Sequence, residues 1–280
     1  MRRVALVLVL YCVAVCFAQR SGGRRNAAPP APLEDLTWEI DSRFKKDIFT
    51  FVRIRYDSLH DGYSRYGGEW GRWRTDHPDS DNNFSFRLQQ MTALKVNPDP
   101  VVLQLTDKEL FDYPWIYFCE PGRLVFTEEE VEALRRYLLN GGFAMFDDFW
   151  GVDAYENLYE QLKRVFPDRE PQDVPMDHAI FNCVFPLNEK LNGIRPQIPA
   201  INRGVASQYT GITWERPDAR EAQYKAIYDD NNRMIVIICH NTDLGDGRER
   251  EGENEYYFRE FSEKKAYPLG INIVFYAMTH

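Results

Sequence analysis

The sequence predicts an α/β fold in which a parallel sheet carries helices on both faces. Short apolar runs typical of buried strands alternate with amphipathic helical segments between residues 49 and 166. This alternation is the sequence pattern of a parallel sheet with helices packed on either side. Two of the apolar runs end in polar, acidic loops, and the ligands of open α/β sheets collect beyond the carboxyl ends of the strands.

The best-defined helix and strand lie between residues 127 and 151. A capping box, in which Thr127 and Glu130 cover backbone amides of the first turn, starts the helix. Gly141 and Gly142 provide the left-handed stop that ends a helix. Residues 143–146 then form an apolar run short enough for a strand buried on both faces, and an acidic, aromatic loop follows at 147–151.

The predicted order of strands and helices becomes less regular towards the C-terminus. Strands are expected at 49–56, 101–105 and 115–119, and helices at 82–94 and 155–166. Prolines interrupt residues 168–200, which are read as loops with short extended pieces around 181–185. Beyond them we expect a hairpin of 224–228 and 234–239, with the polar turn 229–232, and helices at 256–261 and 269–278. These irregular additions complete the domain.

The N-terminus has the pattern of a secretory signal. Arg2 and Arg3 precede an apolar run that ends at Phe17, and small residues suit cleavage after Ala18. The run is shorter than the ~20 residues that span a bilayer, so no membrane span is expected after cleavage; an uncleaved anchor is the alternative. The predicted organisation is a signal peptide (1–18), a Pro/Ala/Arg-rich tether (19–47) and one α/β domain (48–280), exported to the periplasm or the extracellular space.

Charge and cysteine content narrow the classes of function. The formal net charge of −9 argues against a nucleic-acid partner. Cys12 and Cys16 would leave with the signal peptide, and the three remaining cysteines do not make a disulfide framework. Cys119 and Cys239 lie in apolar strand-like runs, which indicates buried small side chains rather than nucleophiles.

Two polar loops at strand ends supply the candidate site. If both strands belong to one parallel sheet, six side chains converge at its carboxyl edge: Asp147, Asp148, His240, Asn241, Asp243 and Asp246. Oxygen-rich clusters suit a hard divalent cation, with Asp148, His240 and Asp243 as candidate metal ligands. Carboxylates beside a histidine also suit general acid–base chemistry, with Asp147, Asp148 and His240 as candidate catalytic residues. No cofactor is predicted beyond such a cation.

Each of these residues has a structural alternative. Asp147 or Asp148 would cap the following turn, and Asp243 and Asp246 would hold a glycine-rich turn by side-chain to backbone hydrogen bonds. A long aromatic loop before residue 82 contains Trp73 and Asp76, which together with Trp150 are assigned to ligand binding. Aromatic rings beside carboxylates suit polyhydroxylated sugars, and the alternative is that the rings anchor the loop to the core.

Six segments of the sequence together resemble the bacterial domain family DUF4159. They are FVRIRYD (51–57), WRTDHPDSDNNF (73–84), LRRYLLNGGFAMFDDFWG (134–151), VFPDREP (165–171), CHNTDLGDGRERE (239–251) and YPLGINIVFYAMTH (267–280). The family has no assigned activity, and its relatives look like the class I glutamine amidotransferase-like fold, which is flavodoxin-like. Those enzymes need a cysteine nucleophile at a tight elbow. The comparable strand end here carries Asp147 and Asp148, so glutamine hydrolysis is not expected.

Three functions follow from these observations. The first is an exported binding module whose acidic and aromatic cleft holds a polar small molecule, a glycan or a segment of an envelope protein. The second is a metal- or carboxylate-assisted hydrolase at the same cleft. The third is a non-catalytic scaffold of the cell envelope. Fold resemblance alone does not choose between them.

Overall fold

A seven-stranded, mostly parallel sheet forms the centre of the computed structural model, which describes residues 37–40, 47–59 and 71–280. The predicted signal peptide and most of the predicted tether lie outside the described residues. In chain order the strands are β1 (Val52–Ile54), β2 (Asp57–Ser58), β3 (Val101–Leu103), β4 (Trp115–Cys119), β5 (Leu124–Val125), β6 (Phe143–Phe149), β7 (Gln172–Asp173), β8 (Gln223–Tyr228) and β9 (Met234–His240).

Eight α-helices are described around the sheet: α1 (Asp79–Met91), α2 (Glu128–Leu139), α3 (Val152–Val165), α4 (Leu187–Lys190), α5 (Ile201–Thr210), α6 (Asp246–Glu249), α7 (Glu255–Tyr257) and α8 (Tyr267–Thr279). A π-helical stretch, Phe258–Ala266, joins α7 to α8 without a break. Short 3₁₀ turns occur at Arg72–Arg74, Lys108–Asp112, Pro121–Arg123 and Ala179–Phe181. Within the described residues, the helices lack the length and apolar character that crossing a bilayer requires.

The strand order of the main sheet is β3-β1-β4-β6-β9-β8-β7, and the first five strands are parallel to one another. Numbered along the chain, those five have the order 2-1-3-4-5, which is the flavodoxin-like arrangement. The α/β fold predicted from the sequence is therefore confirmed. The order reverses between β1 and β4, and the carboxyl ends of strands at such a switch point are where this architecture places ligands.

Hydrophobic side chains fill both faces of the sheet, as parallel strands require. On one face α2 and α3 contribute Leu134 and Leu158 to a buried cluster with Phe146 and Ile238. On the other, α1 and α8 pack against alternate residues of the same strands, as Phe84 and Leu269 do. Neighbouring residues of β6 and β9 consequently point to opposite faces, which decides below which polar residues meet.

The helix and strand between residues 127 and 149 follow the prediction closely. Thr127 Oγ1 accepts a hydrogen bond from Glu130 N at 3.2 Å, and Glu130 Oε2 accepts one from Thr127 N at 2.8 Å, which confirms the capping box. Gly141 has φ 103°, the left-handed conformation expected after a helix end. The following strand does not stop at residue 146 as predicted. It continues to Phe149 through an irregularity in its pairing with β9.

Other boundaries needed correction. Helix α1 spans Asp79–Met91 rather than the predicted 82–94. Asn83 lies inside the helix, and its Nδ2 atom donates to the Arg248 carbonyl oxygen at 2.7 Å. The hairpin of β8 and β9 is confirmed as an antiparallel pair. Helix α5 lies in a stretch for which no helix was predicted. Its buried residues, Gly204 and Ser207, give no apolar period to read.

Candidate functional site

Left-handed backbone marks the carboxyl edge of the parallel strands. Four residues other than glycine have positive φ there: Asp76 (61°) before α1, Glu120 (47°) after β4, Asp148 (61°) in the last part of β6, and Asn241 (60°) after β9. This conformation is uncommon for residues with a Cβ atom. Strained backbone persists where the surroundings enforce it, and such residues cluster at functional sites. The edge is therefore the region whose side chains need an explanation.

Arg53 holds the segment that leads to Asp76. It lies fully buried in β1, and its Nη1 atom donates to the carbonyl oxygens of Trp73 at 2.8 Å and Thr75 at 3.0 Å. The Nε and Nη2 atoms donate to the two carboxylate oxygens of Asp81 at 2.8 and 2.5 Å. Burial alone would raise the pKa of Asp81, but the ion pair with Arg53 holds it below the ordinary value. The Arg53 charge is thus neutralised by Asp81.

Five carboxylates gather beside this segment, and we call them the acidic cluster: Asp76, Asp148, Asp243, Asp246 and Glu249. Oxygen atoms of Asp76, Asp246 and Glu249 lie within 4.8 Å of one another. Asp76 also lies within 4.8 Å of an Asp148 oxygen and the Cys119 sulfur. Only 7% of Asp148 and 5% of Asp243 is exposed. Asp76 therefore links a buried pair at the strand ends to a half-buried pair on α6.

Neutralising partners for the cluster are few. Asp243 Oδ1 accepts from Asp246 N at 2.7 Å, and Asp246 Oδ2 accepts from Ile201 N at 2.9 Å. Asp76 Oδ2 is buried and accepts no hydrogen bond. Within the part of the chain that the structure describes, no basic side chain lies within 4.0 Å of the four aspartates. Glu249 has an ion pair, with Arg250 at 2.5 Å.

The pKa values of these carboxylates are raised because neutralising partners are lacking. Burial raises the pKa of Asp148 well above the ordinary aspartate value, and the carboxylates of Glu120 and Asp76 raise it further. Burial likewise raises the pKa of Asp76 and of Asp243, with neighbouring cluster members adding to both. Close carboxylates in a poorly solvated site do not all ionise unless a positive charge joins them. At neutral pH the cluster must therefore hold protons or a cation.

Asp147 differs from its neighbour because its partners are complete. It is fully buried and accepts hydrogen bonds from the Tyr117 hydroxyl at 2.9 Å and Leu244 N at 3.1 Å. The buried Arg248 guanidinium lies 4.0 Å away and packs over the rings of Phe84 and Tyr117. Burial raises the pKa of Asp147 to about 6, although Arg248 opposes the rise. This side chain joins β4, β6 and α6 inside the core.

His240 and Asn241 lie on the other face of the strand edge. The His240 ring packs against Phe149 and Tyr155, and its Nε2 atom lies 2.9 Å from the Gly151 carbonyl oxygen. Burial lowers the His240 pKa to about 4, and the charged groups acting on it are Lys225 and Asp218, not the acidic cluster. The histidine is therefore neutral at physiological pH. The structure does not bring it to Asp148 as a second metal ligand or a catalytic partner.

Asn241 ties the ends of two elements together. Its Oδ1 atom accepts from Gly151 N at 2.9 Å, and its Nδ2 atom donates to the Glu221 carbonyl oxygen at 3.1 Å. Trp73 is also placed in a structural setting, since its ring is buried in the hydrophobic cluster under α2 and α3. For Trp73, the structural alternative considered from the sequence, that the ring anchors its loop to the core, describes the burial observed.

Asp148 and Trp150 border a small cleft next to the acidic cluster. The cleft has a volume of about 210 Å³ and is lined by charged side chains from several elements: Arg72, Glu120, Arg123, Asp148 and Arg216. Arg72 pairs with Glu120 at 2.9 Å, and the Arg216 Nη1 atom donates to the Trp150 carbonyl oxygen at 3.1 Å. Asp148 thus belongs both to the acidic cluster and to the wall of an open cleft.

Sequence reasoning named Asp76, Asp148, Asp243 and Asp246 but missed Glu249 and Arg53. Glu249 lies in a run of charged residues, 248–251, that reads as a solvated turn. The signal for Arg53 was present, because an arginine between Val52 and Ile54 in a buried strand requires a buried partner. The sequence does not say which residue this partner is; in the structure it is Asp81.

The donor set suits a hard cation. Asp76 belongs to two groups that could hold an ion, one with Asp246 and Glu249 and the other with Asp148 and the Cys119 sulfur. Carboxylate oxygens are the ligands that Ca²⁺ and Mg²⁺ prefer. Burial raises the pKa of Cys119 well above the ordinary value, so its thiol stays protonated and is a poor ligand for such ions. The chemistry of the site is therefore that of oxygen ligands.

Comparison with known proteins identifies the family. The family described as "Domain of unknown function (DUF4159)" matches residues 50–278 of the chain. The match covers most of the 280 residues, and the chain belongs to this family. Comparison with curated proteins finds no match.

Proposed function

We propose that this member of the DUF4159 family is a binding module that holds a hard divalent cation in its acidic cluster. The cation, together with the adjoining cleft, would bind a polar ligand rich in oxygen atoms. The observation that carries the proposal is the position of Asp148, which shares the cluster with Asp76 and also lines the cleft. A cation bound by Asp148 lies within reach of a molecule in the cleft.

The electrostatics of the cluster support a bound ion. Asp76 Oδ2 is a buried acceptor without a donor, and such an atom costs stability unless a proton or a metal fills the position. Two oxygens bound to one Ca²⁺ lie at most about 5 Å apart, since each bond is about 2.3–2.6 Å long. Oxygens of Asp76, Asp246 and Glu249 within 4.8 Å of one another satisfy this limit without rearrangement.

The cleft indicates the kind of ligand. Arg123 and Arg216 offer donors for hydroxyl or carboxylate oxygens, and Trp150 lies at the wall beside them. A glycan or an acidic protein segment supplies oxygen atoms that can complete the coordination of a calcium ion. Export, predicted from the N-terminal sequence, is part of this proposal because extracellular modules use Ca²⁺ sites with dissociation constants of about 10⁻⁴–10⁻³ M.

A metal-assisted hydrolase is the second candidate, and one observation favours it. Burial and neighbouring carboxylates raise the pKa of Asp148, and a carboxyl group with a raised pKa beside a cleft is suited to donate or accept a proton in catalysis. Hydrolysis of a bound glycan or ester, lost in Asp148→Asn, would support this candidate over simple binding. His240 has no part in it.

Thermal unfolding with and without divalent cations tests the proposal. After treatment with a chelator, Ca²⁺ or Mg²⁺ at 100 times its dissociation constant should stabilise the protein by about 2.7 kcal/mol. Asp148→Asn and Asp76→Asn should each lose this response while remaining folded. Asp168→Asn, an exposed aspartate outside the cluster, is the matched control and should keep it.

Ligand binding is tested separately with a glycan array probed in the presence of Ca²⁺ and of chelator. Binding that requires the cation and disappears in Asp148→Asn supports the cleft as the ligand site. If no cation stabilises the wild-type protein, or if Asp148→Asn responds as the wild type does, the proposal is wrong.

A further inference from the structure

A larger cleft, distinct from the acidic cluster, lies between α4, the segment 213–222 and the π-helical stretch. Its volume is about 650 Å³, within the range of small-molecule sites. Four basic side chains line it, Lys190, Arg195, Arg220 and Lys265, against one acidic residue, Glu221. We propose that this basic cleft binds a small organic anion, in which an oxyanion group is joined to an apolar body.

The positive charge in the basic cleft is not neutralised by the protein. The chain as a whole is acidic, with a net charge of −9, and many of its arginines are paired, such as Arg169 with Asp230 at 2.7 Å. Among the described residues, by contrast, no carboxylate lies within 4.0 Å of the four basic side chains of the cleft. A concentration of unpaired cations in an acidic protein favours an anionic ligand.

Contacts with carbonyl oxygens and rings position these charges without neutralising them. Arg195 Nη2 donates to the Val174 carbonyl oxygen and Lys265 Nζ to that of Gln197, both at 3.3 Å. Lys265 Nζ also lies 4.6 Å from the centre of the Phe261 ring, and Arg220 lies over Trp214 at 5.7 Å. The cationic groups are therefore held at the cleft, where an oxyanion would complete their hydrogen bonds.

Lys265 is the best-placed of the four residues to anchor a ligand. It is half-buried, and burial lowers its pKa more than the nearby charge of Glu260 raises it, as expected for an ammonium group removed from water without a carboxylate at ion-pair distance. It belongs to the π-helical stretch Phe258–Ala266. π-Helical turns are rare in proteins, and those that occur are often found at functional sites. A bound oxyanion would supply the missing negative charge.

The walls of the cleft explain why the ligand should carry an apolar part. Leu191, Ile194 and Ala222 line it beside the charged groups, and Ile194 is 70% exposed to solvent. Binding an apolar body would remove this surface from water, worth roughly 25 cal/mol for each Å² buried. Inorganic phosphate alone would leave those walls uncovered, so it should bind more weakly than an amphipathic anion.

Gln197 separates this cleft from the acidic cluster. Its Nε2 atom donates to the Asn241 carbonyl oxygen at 3.0 Å, while its Oε1 atom accepts from the Thr213 hydroxyl at 2.7 Å. The next residue, Ile198, accepts from Asp243 N at 2.9 Å. The basic cleft and the acidic cluster therefore both adjoin the segment 197–198 but share no residue among those that line them.

Two fluorescent probes that share their rings test the inference on the full chain. Anilinonaphthalene sulfonate carries a sulfonate group, whereas phenylnaphthylamine carries no charge. The sulfonate should bind at one saturable site and at least tenfold more tightly than the neutral probe, and added salt should weaken it. Octyl phosphate or octanoate should displace it, and whichever competes better identifies the preferred oxyanion.

Charge-removing variants locate the site. Lys265→Gln and, as a second variant at an exposed position, Arg220→Gln should each weaken sulfonate binding about tenfold while leaving the weak binding of the neutral probe unchanged. Lys108→Gln, an exposed lysine on another surface, removes the same charge and should bind as the wild type does. Equal affinity for the two probes, or equal affinity in the cleft variants and the control, would overturn the inference.

Discussion

The two faces of the β6–β9 carboxyl edge carry polar residues in opposite states. On one face, His240 and Asn241 pair with the backbone of Gly151 and pack against Phe149. On the other, the acidic cluster contains carboxylates such as Asp148 that are buried without a neutralising partner. Asp148 and His240 both lie at the carboxyl end of a buried strand. The difference teaches that buried acidic groups without a neutralising partner, rather than position at a strand end, distinguish a candidate ligand site.

The pKa values of the polar groups on the two faces shift in opposite directions for the same physical reason. Burial disfavours charge on both faces, so it lowers the His240 pKa to about 4 and raises the pKa of Asp148. A neutral histidine leaves no buried charge: its Nε2 atom pairs with the Gly151 carbonyl oxygen, although its Nδ1 atom is buried without a hydrogen-bond partner. The carboxylates, by contrast, avoid uncompensated negative charge only by holding protons or by binding a cation. Stability should therefore depend on pH in opposite directions on the two faces.

The largest expected effect comes from removing the residue that supports the acidic face. Arg53→Met leaves Asp81 buried and unpaired and frees the loop before Asp76. It should cost about 3–5 kcal/mol of unfolding free energy and abolish any response to cations. Urea unfolding measures the loss. Arg259→Met, which removes an ion pair with the exposed Glu255, is the control and should cost less than about 1 kcal/mol.

The next effect tests the histidine face through pH. The His240 pKa is about 4 when folded, against 6.5 ordinarily, so the unfolded state binds more protons between these values. Its contribution to stability is complete above pH 6.5 and falls by about 3 kcal/mol as the pH drops to 4.

His240→Phe keeps an aromatic ring between Phe149 and Tyr155 but removes this titration. Unfolding free energies at pH 4.5 and 7.5 should differ less in the variant than in the wild type. His280→Phe, at the exposed C-terminus, should leave the difference unchanged. If His240→Phe and the wild type lose the same stability at low pH, the histidine is not the group responsible.

The acidic face should show the reverse dependence. Its carboxyl pKa values are raised, so the folded state binds more protons than the unfolded state above about pH 4. Stability of the metal-free protein should then fall as the pH rises, by about 1.4 kcal/mol for each pH unit over which one extra proton is bound. The effect is clearest in the His240→Phe background, where the opposing contribution is absent.

Saturating Ca²⁺ should remove this decline, because the ion replaces the protons. Asp148→Asn should reduce the decline without any cation and should make the metal-free protein more stable at pH 7. A metal-free protein whose stability rises steadily from pH 5 to pH 8 in the His240→Phe background would contradict the account.

A smaller effect separates geometry from charge. A Cβ atom at Gly245 would collide with the Asp76 carboxylate and lie 3.2 Å from Asp243 Oδ1. Gly245→Ala should therefore displace Asp76 and weaken Ca²⁺ binding about tenfold, equivalent to about 1.4 kcal/mol. Gly122→Ala, whose Cβ atom would lie 2.6 Å from that of Ala154 beside α3, should lower stability with little change in Ca²⁺ affinity. Calorimetric titration distinguishes the two.

The fold was readable from the sequence because its signals are local. The capping box at Thr127, the Gly141 stop and the alternation of strands with helices each depend on a few neighbouring residues. The α5 helix was not readable, because its buried side comprises Gly204 and Ser207 rather than an apolar stripe.

The location of the site could be predicted from the sequence, but the set of residues that form it could not. The loops after β6 and β9 do share one edge, as the parallel pairing of these strands requires. Which side chains meet depends on the irregular pairing between Phe146 and Phe149, where the two-residue period of the strand is lost. It was therefore not evident from the sequence that Asp148 would turn towards Asp76 while His240 turned away. Glu249 joins the cluster through the α6 turn, and such a contact leaves no periodic signal.

The central claim is that the acidic cluster binds a cation, and anomalous X-ray diffraction from crystals grown with Mn²⁺ tests it most directly. An anomalous peak is expected at bonding distance, about 2.0–2.6 Å for oxygen ligands of hard cations, from carboxylate oxygens of Asp76 and Asp148. The peak should be absent from crystals of Asp148→Asn. A wild-type crystal with no peak in the cluster, and with the carboxylates sharing protons instead, would contradict the account.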